Sequence, residues 1–335
     1  MCIPIAWTRP EPTCRMAINI ITGTVSPTDF GWYGFLAPKG LQEVNFWTPS
    51  GRRAFRAEPY SPFFFKLKAP HNAICGFAIF VKWTRLPDWM AWECFDVGNG
   101  CETLGAMQAR IQRLRQGMKY VEQPGPDMIG CILLVNPVFF PERSWIPQPS
   151  DWPVRSLTPV RYDLTSGEGR RVWDACRERV ELREAGYPAS PWETQDVRDV
   201  GPRFGAPILV QPRLGQGTFR VAVTDAYRRA CAVTGEHSLP ALEAAHIRPY
   251  ADGGEHEVSN GLLLRSDFHR LFDKGYVTVT PERRILVSPR LKSDYENGKS
   301  YYPFDGKQLV VRPDDGADQP SAEYLGWHNT HVFLS

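Results

Sequence analysis

The segment 242–273 leaves little freedom in how it folds. Leu242-Glu243-Ala244-Ala245-His246-Ile247 is a mostly apolar run of strand length, and Asp252-Gly253-Gly254 is a turn signal. Gly261-Leu262-Leu263-Leu264 reads as a second strand, and residues 267–272 read as the start of a helix. A hairpin backed by a helix is the arrangement these signals allow. His246 ends the first strand, Asn260 stands fourteen residues on where the loop returns, and His269 follows nine later. His269 and Asp273 are four apart, so both project from one face of the helix.

Those side chains suit hydrolysis of a phosphodiester. The reaction needs a base for water, a divalent cation to neutralise charge on the scissile phosphate and leaving oxygen, and a frame that aligns them. A neutral imidazole at His246 fits the first role. His269 and Asp273 fit the second, and Asn260 has the donors and acceptor to hold the histidine strand across the loop, with direct metal contact left open. His237 and His256 fall in polar loops and read as exposed, and His328 and His331 lie in a terminal segment with no useful spacing.

The rest of the chain sets the context. A chain of 335 residues has room for two domains, and 42% hydrophobic with 23% charged residues is a globular composition with no apolar run long enough to span a membrane. A net charge of +2 means that nucleic-acid binding has to rest on local patches, such as Arg213, Arg220, Arg228 and Arg229. The eight cysteines form no Cys-x-x-Cys pair and no signal peptide precedes them, so a reducing cytoplasm is expected. The partner position of Cys231 is Thr234, so no structural zinc is expected.

Residues 1–17 read as a loose extension, 18–152 as one domain, 153–212 as a Pro-rich connector with a helix over 167–185, and 213–335 as a second domain. The first domain alternates short apolar runs with Gly and Pro and predicts a curved sheet or small barrel with helices over 29–36 and 103–117. A further helix is predicted over 216–230, its arginines reading equally as phosphate contacts or as a solvated face.

Cys231-Ala232-Val233-Thr234-Gly235, Ala244-Ala245-His246-Ile247-Arg248-Pro249, Asn260-Gly261-Leu262 and His269-Arg270-Leu271-Phe272-Asp273 together resemble an HNH endonuclease of ββα-metal type. The resemblance implies His246 as general base, Asn260 as the middle residue, His269 as the last, and a divalent cation, Mg2+ or Mn2+. Many HNH enzymes carry a ligand immediately before the base, where this chain has Ala245; Asp273, Asp267, Asn260 or a water would then complete the shell.

Glu43-Val44-Asn45-Phe46-Trp47, Pro62-Phe63-Phe64-Phe65-Lys66-Leu67 and residues 74–81 are similar to the barrel core of the PUA-like superfamily, which includes SRA, EVE, YTH and ASCH domains. The fold expected is therefore α+β in two domains, a PUA-like β-barrel with flanking helices followed by an HNH domain. The order resembles bacterial modification-dependent restriction endonucleases, which implies modified double-stranded DNA as partner. Trp32, Asn45 and Trp47 are the expected pocket for a flipped base, with Ser50 and Arg52 at its rim, and Arg220, Arg228, Arg229 and Arg248 the expected contacts to the DNA backbone. Cutting both strands implies a homodimer. An HNH nuclease indifferent to modification, with a front domain for ordinary DNA or a small ligand, is the alternative; an inactive DNA-binding module is a third reading.

Overall fold

A computed structural model describes residues 21–116, 128–153, 156–184 and 214–335. The expected extension 1–17, Arg213 and the connector beyond residue 184 lie outside these.

The chain begins with β1 (Thr22–Thr28), α1 (Phe30–Leu36), β2 (Glu43–Thr48), β3 (Pro62–Leu67), β4 (Ala73–Pro87), α2 (Asp88–Phe95), α3 (Leu104–Gln116), β5 (Met128–Phe139), β6 (Ile146–Pro147), β7 (Val160–Asp163) and α4 (Gly167–Glu184). Strands pair in the order β2-β5-β4-β3-β1-β7, with β6 added to β4; β1 and β3 are parallel and the other pairs antiparallel. Every residue of β3 is buried, which accounts for its unbroken run of phenylalanines: Phe63 and Phe65 enter one core with Trp32, and Phe64 enters another with Val172 and Cys176 of α4. Register shifts between Phe77 and Ile79 and between Phe80 and Lys82 bend the fifteen-residue β4, so the sheet curves as its sequence predicts.

One expectation changes here. Residues 160–184 were assigned to a connector, yet β7 pairs with β1 and α4 packs Val172 and Cys176 into the sheet's core. The apolar face of α4 is wide enough to be buried, and the sheet supplies the surface that buries it.

The second half runs α5 (Gln216–Ala226), β8 (Leu242–His246), β9 (Gly261–Arg265), α6 (Ser266–Asp273), β10 (Val277–Val279), β11 (Ile285–Val287), α7 (Arg290–Tyr295) and α8 (Ala322–His331). The hairpin β8–β9 pairs Leu242 with Arg265 through His246 with Gly261, and one core unites Phe219 and Val223 of α5, and Tyr227 just after it, with the hairpin, α6 and Leu325 of α8. The helix predicted over 216–230 stops at Ala226, because Arg228 and Arg229 both take left-handed backbone angles, φ 52° and 58°. That turn costs about 1–2 kcal/mol per residue. It delivers Ala230, Cys231, Ala232 and Val233 into the core, where the Ala232 N–H donates to Leu263 O at 2.7 Å. Among the described residues no helix is long and apolar enough to cross a membrane.

Candidate active site

Strand β8 ends at His246 on the wall of a cavity of about 390 Å3 that is also lined by Phe219, Arg220, Tyr250, His269, Asp273 and His328. His246 and the His269–Asp273 pair thus meet in one cavity from different elements. The His246 ring stacks on Phe219 with centroids 4.0 Å apart and planes at 13°, and His256 meets it edge-on at 5.0 Å. Its Nε2 is buried and has no hydrogen-bond partner. Burial first, then the His256 and His269 charges, push the His246 pKa down to about 4, so the ring is neutral at pH 7 and one of its two nitrogens is a proton acceptor. A buried nitrogen left unpaired costs roughly 1–3 kcal/mol.

Asn260 is fully buried at the return of the loop. Its Oδ1 accepts the Arg248 N–H at 2.9 Å, its Nδ2 donates to Arg248 O and Glu255 O, both at 2.9 Å, and its own carbonyl accepts the Ile247 N–H at 2.9 Å. These bonds fix the backbone immediately after His246. The side chain is fully buried and does not line the cavity, so the direct metal contact left open for Asn260 is not what this geometry offers. Asp267, the other candidate to complete the shell, is engaged by Arg265 through two bonds of 2.7 Å.

Helix α6 presents His269 between two carboxylates. Nδ1 lies 2.6 Å from Glu243 Oε2 and Nε2 lies 3.4 Å from Asp273 Oδ2. If Nδ1–H donates to Glu243, the Nε2 lone pair and the Asp273 carboxylate face each other as two acceptors, which a cation would reconcile. A carboxylate behind a histidine that offers its other nitrogen outward is the arrangement that orients metal-bound imidazoles. Burial raises the Asp273 pKa, with His269 opposing it. Among the described residues no three His, Cys, Asp or Glu side chains form a ready metal cage, and the reason is visible: Glu243 and Asp273 meet opposite edges of the same ring. The donor set of one imidazole nitrogen and one carboxylate fits a hard divalent cation that keeps several waters. Ala245, where a ligand often sits, is buried in the core.

Glu243 was not singled out in the sequence. The signal for Glu243 was a charge inside an otherwise apolar strand. His256, read as exposed, is half-buried against His246, Phe219 and Tyr250, with its own Nδ1 buried and unpartnered. His328 is likewise not an edge residue: it is 2% exposed, stacks on Phe272 at 3.7 Å, and meets Thr278 Oγ1 at 2.8 Å.

Residues 231–280 match a family model described as HNH endonuclease. This part of the chain is an HNH endonuclease domain. Its hairpin, Asn260 clamp and α6 are the ββα frame set out above, and the HNH chemistry uses a divalent metal ion. No curated protein matches the chain. Among solved structures, the ASCH protein of Zymomonas mobilis aligns at 11% identity over 45% of this chain and 94% of its own, with a TM-score of 0.29. The modification-dependent TagI restriction endonuclease aligns at 11% identity over 92% of this chain and 81% of its own, with a TM-score of 0.26. Scores of that size leave each half to be argued from its own residues.

Outside the HNH domain's cavity the expected contacts separate. Trp32 is buried with Val44 and Phe46 on one side of β2, whereas Asn45 and Trp47 face the other, where Asn45 Nδ2 bonds Asn99 Oδ1 at 2.9 Å and Trp47 Nε1 bonds Asn99 O at 2.8 Å. The four residues proposed for a base pocket therefore do not line one pocket; alternate residues of a strand point to opposite faces. Ser50 lies in the turn after β2 and accepts the Arg52 N–H at 3.3 Å. Of the four arginines expected at the DNA backbone, only Arg220 lines the cavity, and it pairs with Glu93 at 2.9 Å. Arg228 pairs with Asp314, Arg229 donates to Arg85 O, and Arg248 donates to Asp252 O at 2.7 Å and lies over Trp327.

Proposed function

We propose that this chain hydrolyses phosphodiester bonds of double-stranded DNA in a reaction dependent on Mg2+ or Mn2+. The observation that carries the reading is the meeting of a neutral His246 with His269 and Asp273 in one cavity. His246, neutral at pH 7, takes a proton from the attacking water, while the Asn260 clamp holds the strand end and Phe219 holds the plane of the ring. His269 Nε2 and Asp273 would hold the cation, with Glu243 fixing the imidazole from behind. When bound, that cation supplies charge neutralisation at the phosphate and leaving oxygen. Arg220, at the cavity wall, is placed to meet a phosphate on exchanging its bond to Glu93.

The finer part of the reading is that the sheet-bearing half restricts cutting to modified DNA. What supports it is the half-buried Trp47, whose ring has Arg110 5.8 Å above it, so that one aromatic of the expected set keeps an exposed edge beside a cation. Matched plasmids that are unmodified, 5-methylcytosine-containing, 5-hydroxymethylcytosine-containing or phosphorothioated, digested with Mg2+, with Mn2+ and with EDTA, test both parts. Cutting with metal and none in EDTA is expected, with a preference for one modified plasmid. Equal cutting of all four would reject the modification dependence, and cutting undiminished by EDTA would reject the metal reading.

A further inference from the structure

Helix α5 lies outside the matched HNH segment and touches both halves of the molecule. Its N-cap is Gly215, which has no side chain to satisfy the first helical N–H groups. The cap comes from the other half instead. Glu43, the first residue of β2, accepts the Gly217 N–H at 2.7 Å through Oε1, and the Thr218 N–H at 2.8 Å and Thr218 hydroxyl at 2.6 Å through Oε2. The approach is close enough that a Cβ on Gly217 would stand 2.1 Å from Cys94 O. Val221, one turn on, is buried in the core formed by α2, α3 and β5. Lys82 of β4 pairs with Asp225 at 3.1 Å near the far end.

The opposite face of α5 belongs to the nuclease. Phe219 stacks on His246, Tyr227 OH donates to Gly261 O at 3.1 Å, and a Cβ on Gly261 would meet Val223 Cγ2 at 2.4 Å. Phe219 follows Thr218, so the residue that sets the plane of the His246 ring is adjacent to one gripped by Glu43.

We propose that α5 is a strut through which the sheet positions the nuclease's base, with Glu43 and Phe219 as positioning residues for His246. This rests on the reading of His246 as the base. The HNH segment alone has nothing to fix the ring plane from the Phe219 side; the sheet supplies it by fixing the start of α5. Loss of the Glu43 grip frees the first turn of α5, lets Phe219 move, and misplaces the His246 ring without removing any group that contacts DNA.

The test uses the full chain carrying Glu43→Gln, in which an amide N–H2 faces donors that a carboxylate oxygen accepted, beside Phe219→Leu and, as a control, Arg290→Ala in the ion pair with Asp294 on α7. Two readouts are taken. The first is the His246 imidazole C–H resonance, which senses the Phe219 ring current and needs neither metal nor DNA. The second is cleavage rate at saturating DNA, set against DNA affinity by fluorescence anisotropy. The expected result is a displaced His246 resonance in both variants, with a rate about 10- to 100-fold lower and affinity within about twofold of wild type. Arg290→Ala should change none of these. An unmoved His246 resonance in folded Glu43→Gln, or a rate within about twofold of wild type, would overturn the strut. If Glu43→Gln does not fold, Phe219→Leu decides by rate set against affinity, since removal of the ring shifts the resonance by itself. A wild-type protein that cuts no DNA sinks the nuclease reading, and the strut is then judged on the resonance alone.

Discussion

Replacing Asn260 with alanine strands three buried backbone partners at once: the Arg248 N–H and the carbonyls of Arg248 and Glu255. Each costs roughly 1–3 kcal/mol when left unpaired, and shared relaxation keeps the total below the sum, so Asn260→Ala should lower the unfolding free energy by about 3 kcal/mol. Urea titration measures it; a loss under about 1 kcal/mol would mean the loop does not depend on this clamp. His328 yields a pH prediction. Burial pushes its pKa down from an ordinary 6.5 to about 4, so folding is favoured by this residue above pH 6.5, and that stability is lost as the pH falls from 6.5 toward 4. The loss is on the order of 3 kcal/mol over that window, and His328→Asn should show a shallower decline in urea midpoint between pH 7 and pH 4.5 than wild type. Equal declines would contradict the buried, neutral state of His328. The spacing of His246, Asn260, His269 and Asp273 was legible because it lies within one hairpin and helix. His256 and His328 were not, because their partners Phe219 and Phe272 are brought to them only by packing between α5, α6, α8 and the loop.

At the scale of elements, periodicity placed α1, α3, α4, β8 and β9 to within a residue or two of where they lie, since each carries its own capping or turn signal. It overran α5, because a backbone reversal at two arginines has no signature in side-chain pattern; glycine or asparagine would ordinarily mark it. It also split β7 and α4 from the sheet, because the pairing of β7 with β1 joins residues far apart in the chain, as in Thr24 with Arg161, and no local window sees that. Helix α5 depends on small residues at its point of contact. Gly217→Ala should therefore destabilise the protein by about 1–3 kcal/mol despite alanine's better helix propensity, since its Cβ would stand 2.1 Å from Cys94 O. A thermal midpoint equal to or above that of wild type would show that α2 and α5 separate more easily than their packing indicates.

For the whole molecule, one chain holds one hydrolytic cavity with His246, while a double-strand break takes two hydrolyses. Paired copies are therefore expected at the DNA, and the rate of double-strand breakage should rise with the square of enzyme concentration below saturation, whereas nicking rises linearly. A first-order rise in double-strand breaks would mean that a single copy cuts both strands in turn. Both activities trace to the same imidazole. The most direct test is single-turnover cleavage of supercoiled plasmid in Mg2+ and Mn2+ by wild type and His246→Ala, with DNA affinity and thermal midpoint measured on the same preparations. Loss of the cavity-lining imidazole should reduce the rate by about 10²- to 10⁴-fold while DNA affinity stays near that of wild type. A His246→Ala protein that cuts at the wild-type rate would contradict the account.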